Sequence, residues 1–237
     1  MLLTLDRFTD VPPAHENHEN GEPTGVRILG KHISPLKEDI EYVLKNYFPE
    51  IRGVYVYSII NGSSLGRYYS NRRNGWSIAL HRDLINMDRR TRLNVIGHEL
   101  THLTQYKQDY LRERALKTEF AYLYTTRIPK GEKSCDIYTY ARSPELVAPS
   151  NYLGIPSVFW EFYYWKTVRS AEYSFYERYC VEIHELAKEA VRIRANGYRN
   201  YIEWFEDRLD ELAVDFVASL LQESRDEEEV EHGAMEG

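Results

Sequence analysis

The chain has 237 residues, of which 43% are hydrophobic and 14% aromatic, so it is long enough to bury a sizeable core within one domain. Its formal net charge is −7, and the basic residues of the body are mixed with acidic ones, which does not indicate a nucleic-acid partner. No apolar run reaches the roughly 18 residues of a membrane span, and Cys135 and Cys180 are too few for a disulfide framework, although one bridge between them stays open. We therefore expect a cytoplasmic protein with no membrane partner, and the sequence leaves its oligomeric state open.

Both ends of the chain are predicted to be flexible. Residues 1–25 contain Pro12, Pro13 and Pro23 among Asn, Glu and Gly, a composition typical of loops. Residues 223–237 carry seven carboxylates against Arg225 alone, and this self-repelling charge predicts a disordered acidic tail. Residues 26–222 are left as a single domain, with 145–222 as a helical extension.

The first predicted elements are a helix and two strands. Ser34 and Pro35 provide a cap and a first-turn proline, and apolar residues then recur at helical spacing up to Pro49. The run from Arg52 to Ile60 and the run from Gly75 to His81 are rich in β-branched and aromatic residues. Two or three strands are therefore expected.

A longer helix follows, for which Asp88 is a suitable N-cap, from about Arg89 to Lys107. Two later helices are predicted, one from about Ala171 to Ala195 and one with an apolar stripe from Ile202 to Leu220. Aromatic residues near 160–176 are predicted to form helical core or one wall of a cleft; they are Tyr163, Tyr164, Trp165, Tyr173 and Tyr176.

The helix after Asp88 contains an HExxH motif. His98 and His102 are four residues apart, so both imidazoles leave the same helix face and can share one Zn²⁺ at roughly 2.0–2.1 Å. Zinc acidifies a water molecule, and Glu99 beside it can take the proton and later deliver it to a leaving amine. The motif therefore predicts peptide hydrolysis with one zinc ion per chain.

The segment from Val95 to Gln105 (VIGHELTHLTQ) resembles the zincin superfamily, in particular gluzincin-type metallopeptidases. The segments SCDIYTYARSPEL and EIHELAKEAVRIRANGYRNYIEWFE resemble uncharacterised prokaryotic HExxH proteins. The resemblance implies an α+β, zincin-like fold, with a small mainly antiparallel sheet packed on the HExxH helix and additional C-terminal helices. It also implies that Trp76 to Leu80 is an edge strand that aligns a polypeptide substrate.

The third zinc ligand is not obvious, because Gln105 and Gln108 stand where a metzincin continuation has Gly and His. By resemblance to gluzincins it is the Glu of an ExxxD pair, whose Asp orients an imidazole. Two pairs have this spacing: Glu132 with Asp136, which we favour, and Glu211 with Asp215, which lies beside the apolar stripe of its helix.

Several further residues are weaker candidates for this site. Glu182 and then Glu185 are the next choices for the third ligand, and His184 is a candidate proton donor or oxyanion stabiliser. Cys135 is a possible metal ligand as well, although a small packing residue is the simpler interpretation.

Three functions are consistent with these residues. The first is a zinc-dependent metallopeptidase that acts on polypeptide, with Glu99 as the general base. The second is a SprT-like, DNA-associated protease, which the nearly neutral body does not favour. The third is a non-catalytic binding module that a metal ion stabilises.

Overall fold

The computed structural model describes residues 23–62, 64–69, 75–147 and 172–235. Residues 1–22 of the predicted flexible segment 1–25 and the aromatic residues Tyr163, Tyr164 and Trp165 lie outside these ranges. Within them the chain forms four β-strands and five α-helices, which is a mixed α and β architecture compatible with the α+β class. No helix in the described ranges is long and apolar enough to cross a membrane.

The sheet consists of β1 (Gly25–Ile28), β2 (Gly53–Ile59), β3 (Gly66–Tyr68) and β4 (Ser77–His81), in the order β1-β2-β4-β3. β1 pairs with β2 and β2 with β4 in parallel, while β3 pairs with β4 in antiparallel orientation. The prediction of a mainly antiparallel sheet was therefore wrong, and the sheet is mixed. Parallel neighbours need a long crossover connection, and α1 (Lys37–Tyr47) provides it between β1 and β2.

The predicted edge strand also differs from the structure. The segment from Trp76 to Leu80 overlaps β4, which lies inside the sheet between β2 and β3. All five residues of β4 are buried, as expected of a strand covered on both faces. The three-residue β3 forms the edge on this side.

The HExxH helix is α2 (Arg89–Ala115), which begins where the sequence predicts and continues two turns beyond Lys107. The Asp88 side chain caps it by accepting a hydrogen bond from the Thr91 amide at 2.9 Å. Leu93, Ile96, Leu100 and Leu103 bury one face of α2 in the main hydrophobic core. α2 contacts α1 and the strands β3 and β4. It therefore packs near the edge of the sheet that β3 forms.

The remaining helices are α3 (Glu132–Tyr140), α4 (Glu172–Ala195) and α5 (Tyr201–Met235). α3 packs on α2, and α4 packs on α5. The predicted disordered tail differs from the structure, because α5 continues as helix through residues 223–235. Glutamate is a good helix former, and a helix already nucleated at Tyr201 extends without a new nucleation cost. At the other end, β1 begins at Gly25, inside the segment predicted to be flexible.

Candidate metal centre

The two histidines of the motif lie side by side on α2. Their ring centroids are 4.7 Å apart, and the rings meet edge to face. The His102 side chain is only 6% exposed, whereas that of His98 is 21% exposed. The four-residue spacing on one helix therefore places both imidazoles together, as predicted.

A carboxylate oxygen lies between the two rings. Glu132 is the first residue of α3, and its Oε2 is 3.0 Å from His98 Nε2 and 3.1 Å from His102 Nε2. The preceding Gly131 has φ = 113°, a conformation that favours glycine, so the chain can turn sharply into α3 at this point. The Glu132 side chain is 56% exposed, so the carboxylate closes the site on its solvent side.

Asp136 lies one helical turn after Glu132 and contacts the other nitrogen of His98. Its Oδ1 is 2.8 Å from His98 Nδ1, and the residue is buried. An ionised carboxylate only accepts hydrogen bonds, so His98 Nδ1 donates to it. The pair with ExxxD spacing thus contacts both nitrogens of one imidazole, an arrangement common around metal-binding histidines.

These residues fit a divalent metal ion. Tetrahedral Zn²⁺ with N and O ligands at about 2.0–2.1 Å holds its ligand atoms about 3.3 Å apart, close to the 3.0 and 3.1 Å separations found here. With Nδ1 of His98 already protonated, a second proton on Nε2 would make this ring a cation. If His102 were protonated in the same way, two cationic rings with centroids 4.7 Å apart would share one carboxylate oxygen of Glu132. One metal ion bound to both Nε2 atoms can replace these two protons and remove the repulsion between the rings.

Cys135 is a second possible third donor. The ligand atoms of His98, His102 and Cys135 all lie within 4.8 Å of one another, so this group could hold a metal ion. In the structure the Cys135 thiol donates to the backbone carbonyl of His98 at 3.2 Å, and only the thiolate is a good ligand. Glu132 is the other candidate, and its Oε2 lies 3.0 and 3.1 Å from the two Nε2 atoms.

The charges of the site shift its pKa values strongly. Burial is the largest single effect and lowers the pKa of His102, but the hydrogen bonds with Cys135 and Glu132 together outweigh it and raise the pKa to about 10. Burial likewise lowers the pKa of His98, and the neighbouring Cys135 sulfur and the hydrogen bond with Asp136 raise it well above its usual value. Hydrogen bonds from His102 and His98 hold the pKa of Glu132 well below its usual range.

Glu99 lies in the interior of the site. Burial raises its pKa to about 7, against the opposing effect of the positive charges on His98 and His102. Its Oε2 has no hydrogen-bond partner among the described residues. A carboxyl group with a pKa near neutrality can both accept and donate a proton at physiological pH.

Three contacts of this site were not predicted from the sequence. Gly66 on β3 packs so closely on Glu99 that a Cβ there would lie 2.4 Å from Glu99 Oε1. The Tyr68 ring stacks on His102 with centroids 4.5 Å apart. Gln105 Oε1 lies 2.9 Å from His102 Nδ1. Of these three contacts, only that between Gln105 and His102 could have been predicted from the sequence, because residues three apart on a helix are neighbours.

The alternative ligands are placed elsewhere or have other partners. Glu211 forms an ion pair with Arg208, and Asp215 is exposed on the same helix. Glu182 lies on α4, and on that helix Glu185 pairs with Lys188.

His184 is also engaged away from the motif. Its Nδ1 is 2.8 Å from an Arg90 guanidinium nitrogen and 3.0 Å from the Pro144 carbonyl oxygen. Arg90 precedes His98 by about 12 Å along α2, so His184 is not placed as a proton donor beside the two histidines.

Cys135 and Cys180 are both buried and free, so no disulfide joins them. Comparison of the chain with protein-family models, curated proteins and solved structures finds no match.

Proposed function

We propose that the chain is a zinc-dependent metallopeptidase in which His98, His102 and Glu132 hold the metal ion and Glu99 is the general base. The observation that carries this proposal is the position of Glu132 Oε2, at 3.0 and 3.1 Å from the two Nε2 atoms. Two imidazoles and one carboxylate leave one position open in a tetrahedral site, which is typical of catalytic rather than structural zinc.

Each residue has a separate task in this proposal. Zinc, when bound, polarises a carbonyl group and acidifies water. Glu99 takes a proton from the attacking water through its unpartnered Oε2 and delivers it to the leaving amine. Asp136 holds the His98 ring through its Nδ1 atom, and Gln105 holds the His102 ring in the same way.

An extended polypeptide is the substrate that fits the neighbouring strand. In the described part of the sheet β3 pairs only with β4, so its other edge can pair with an added strand. Gly66 of β3 contacts Glu99, which brings a peptide paired with β3 close to the general base. This supports hydrolysis of peptide bonds over other acyl transfers.

A second candidate function is a metal-stabilised binding module without catalysis. The observation that favours it is the group formed by His98, His102 and Cys135. Glu132 and Cys135 together with the two histidines would give four protein ligands, and such a closed site has a structural role.

The test is the zinc content of the purified full-length chain, measured by inductively coupled plasma mass spectrometry. We expect about one zinc in wild type and in Cys135→Ser, and little in Glu132→Gln. Glu211→Gln is the matched control, because it makes the same change in a carboxylate that pairs with Arg208, and it should keep its zinc. Loss of zinc from both Cys135→Ser and Glu132→Gln would favour the second function, and a zinc-free wild type would contradict both.

Catalysis is tested with Glu99→Gln on a library of denatured polypeptides, with products identified by mass spectrometry. The variant should keep its zinc and lose hydrolysis by roughly 10²–10⁴-fold, because the amide cannot take the proton. Zinc-loaded wild type that cleaves no polypeptide, or Glu99→Gln that cleaves as fast as wild type, would contradict the peptidase.

A further inference from the structure

Gln105 is a buried amide on α2, one turn beyond His102. Its Nε2 is 2.8 Å from the Pro129 carbonyl oxygen and 3.2 Å from the Gly131 carbonyl oxygen. Carbonyl oxygens only accept hydrogen bonds, so the amide nitrogen must face them and donate to both. The amide orientation is thereby fixed, and Oε1 faces the other way.

The oxygen of this amide faces His102. Gln105 Oε1 lies 2.9 Å from His102 Nδ1, and an amide oxygen only accepts, so Nδ1 carries the hydrogen. A neutral imidazole has one N–H group, and Nε2 is then left with its lone pair. Nε2 is the atom that lies 3.1 Å from Glu132 Oε2. The other tautomer would direct an N–H group towards the metal position.

The same amide also holds the segment that leads to Glu132. Gly131, whose carbonyl accepts from Gln105, directly precedes Glu132. Gln108 anchors the same segment one turn later, where its side-chain oxygen accepts from the Ile128 amide at 2.7 Å. Both glutamines therefore fasten this segment, but only Gln105 has a described contact with a metal-facing imidazole.

We propose that Gln105 is a positioning residue that selects the Nδ1–H tautomer of His102 and holds Glu132 beside it, so that metal affinity depends on this side chain. The inference rests on the proposed function, because it requires a metal ion at His98, His102 and Glu132. Loss of a hydrogen-bond partner of a metal-binding histidine lowers metal affinity by about 10–100-fold.

The experiment measures zinc dissociation constants of the full-length chain by competition with a chromophoric chelator. Gln105→Met keeps the length of the side chain and removes both of its hydrogen-bonding groups, and we expect zinc to bind about 10–100-fold more weakly. Gln105→Glu still accepts from Nδ1 but cannot donate to the Pro129 and Gly131 carbonyl oxygens, so its zinc affinity should lie between those of Gln105→Met and wild type. Gln108→Met, which loosens the same segment without touching His102, is the matched control and should stay close to wild type.

Two outcomes overturn the inference. One is a Gln105→Met protein that binds zinc as tightly as wild type. The other is an equal loss of affinity in Gln105→Met and Gln108→Met, because it would mean that both glutamines act only by anchoring the segment. Thermal unfolding in the presence of EDTA shows whether each variant is folded.

A second measurement needs no variant. In zinc-loaded wild type, ¹⁵N nuclear magnetic resonance of the histidine side chains should show a proton on His102 Nδ1, and an unprotonated Nδ1 would overturn the inference. Failure of the proposed function is distinguishable, because a wild type that binds no zinc contradicts both proposals. A wild type that binds zinc and cleaves polypeptide, alongside a Gln105→Met protein of equal affinity, contradicts only this one.

Discussion

At the residue scale, Glu99 is confined by a neighbour that has no side chain. Gly66 lies against the Glu99 carboxylate, and a Cβ at position 66 would be 2.4 Å from Oε1 and 2.6 Å from Cγ. Such distances are well below normal van der Waals contact, so either β3 or the carboxylate would have to move. The position of Glu99 thus depends on a strand far from it in the sequence.

Gly66→Ala should destabilise the fold by about 1–3 kcal/mol, because the added methyl group overpacks the interior. Zinc content should be unchanged, since none of the proposed ligands is on β3, while hydrolysis should fall. The control is the same substitution in a Glu99→Ala background, where the overlap is relieved and the cost should be smaller. Urea unfolding of the four proteins checks this, and an equal cost in both backgrounds would show that the contact does not matter.

Much of the site is encoded locally and could be predicted. His98, Glu99 and His102 follow from helical spacing on α2. The choice of Glu132 and Asp136 on α3 came from the resemblance to gluzincins, because Glu211 and Asp215 have the same spacing. Gly66 and Tyr68 could not be predicted, because their contacts with Glu99 and His102 depend on how β3 is placed against α2.

At the scale of elements, α2 and α3 must keep a fixed separation for Glu132 to reach both histidines. Thr139 on α3 lies 2.7 Å from the Thr101 hydroxyl on α2, and both residues are fully buried. Gly97 allows the close approach, since a Cβ there would be 3.3 Å from Cγ2 of Thr139 on α3. The two helices are therefore joined by a buried hydroxyl pair in the turn after Gly97.

Thr139→Val has the same shape and removes the hydroxyl, so it should lower the free energy of unfolding by about 1–3 kcal/mol, because Thr101 loses a buried partner. Thr125→Val is the control, because the Thr125 hydroxyl bonds an exposed carbonyl within its own turn and should matter less. Both are measured by urea unfolding. A larger loss in Thr125→Val than in Thr139→Val would contradict this account of the helix pair.

The order of strands is information that the sequence did not provide. β4 has the composition of a buried strand, whereas β3 has only three residues, too few to show a period of two. Its position at the edge depends on pairing with β4, which follows later in the chain. The same limit applies to the acidic tail, where net charge predicted disorder and α5 continues as helix.

At the scale of the whole molecule, a buried ion pair joins distant segments. Arg142 lies 2.7 Å from Glu50, with side chains 1% and 0% exposed, and the Tyr124 hydroxyl donates to the same Glu50 oxygen at 2.6 Å. The Arg142 guanidinium also lies 4.0 Å from the centre of the Phe48 ring. The end of α1, the loop after α2 and the end of α3 therefore meet in one cluster.

Glu50→Gln should destabilise the protein by about 3–5 kcal/mol, because it leaves the Arg142 charge buried without its counterion. Glu211→Gln makes the same change in an exposed pair and should alter the unfolding free energy by less than about 0.5 kcal/mol. Thermal and urea unfolding of the two variants provide the comparison. Equal unfolding free energies in Glu50→Gln and Glu211→Gln would mean that the buried pair stabilises the fold no more than the exposed one.

Metal binding and proton binding compete across the site. Because the pKa of His102 is raised to about 10, its ring carries an extra proton at pH 7.5 in protein stripped of metal, and the raised pKa of His98 favours proton binding there as well. Zinc requires the unprotonated nitrogens, so its uptake should release protons, and its apparent affinity should rise from pH 6.5 to 8.5. Calorimetry in buffers of different ionisation enthalpy measures the release, and a pH-independent affinity would contradict it.

In the metal-free protein, fold stability changes with pH in the opposite direction to zinc affinity, because it falls as the pH rises. A raised histidine pKa stabilises the fold fully below the unfolded value of about 6.5, and this stabilisation is lost as the pH rises through about 10. Bound zinc should therefore add more stability at pH 8.5 than at pH 6.5, which thermal unfolding with and without EDTA can check.

The contact between Gly66 and Glu99 has a consequence for how this sequence can diverge. As long as the carboxylate at position 99 is under selection, glycine is strongly favoured at position 66, although this residue lies on a strand and carries no chemistry. A relative with a smaller residue than glutamate at position 99 can accept a side chain at position 66. The two positions should therefore change together, and a side chain at position 66 would mark a descendant that keeps the fold without the acid.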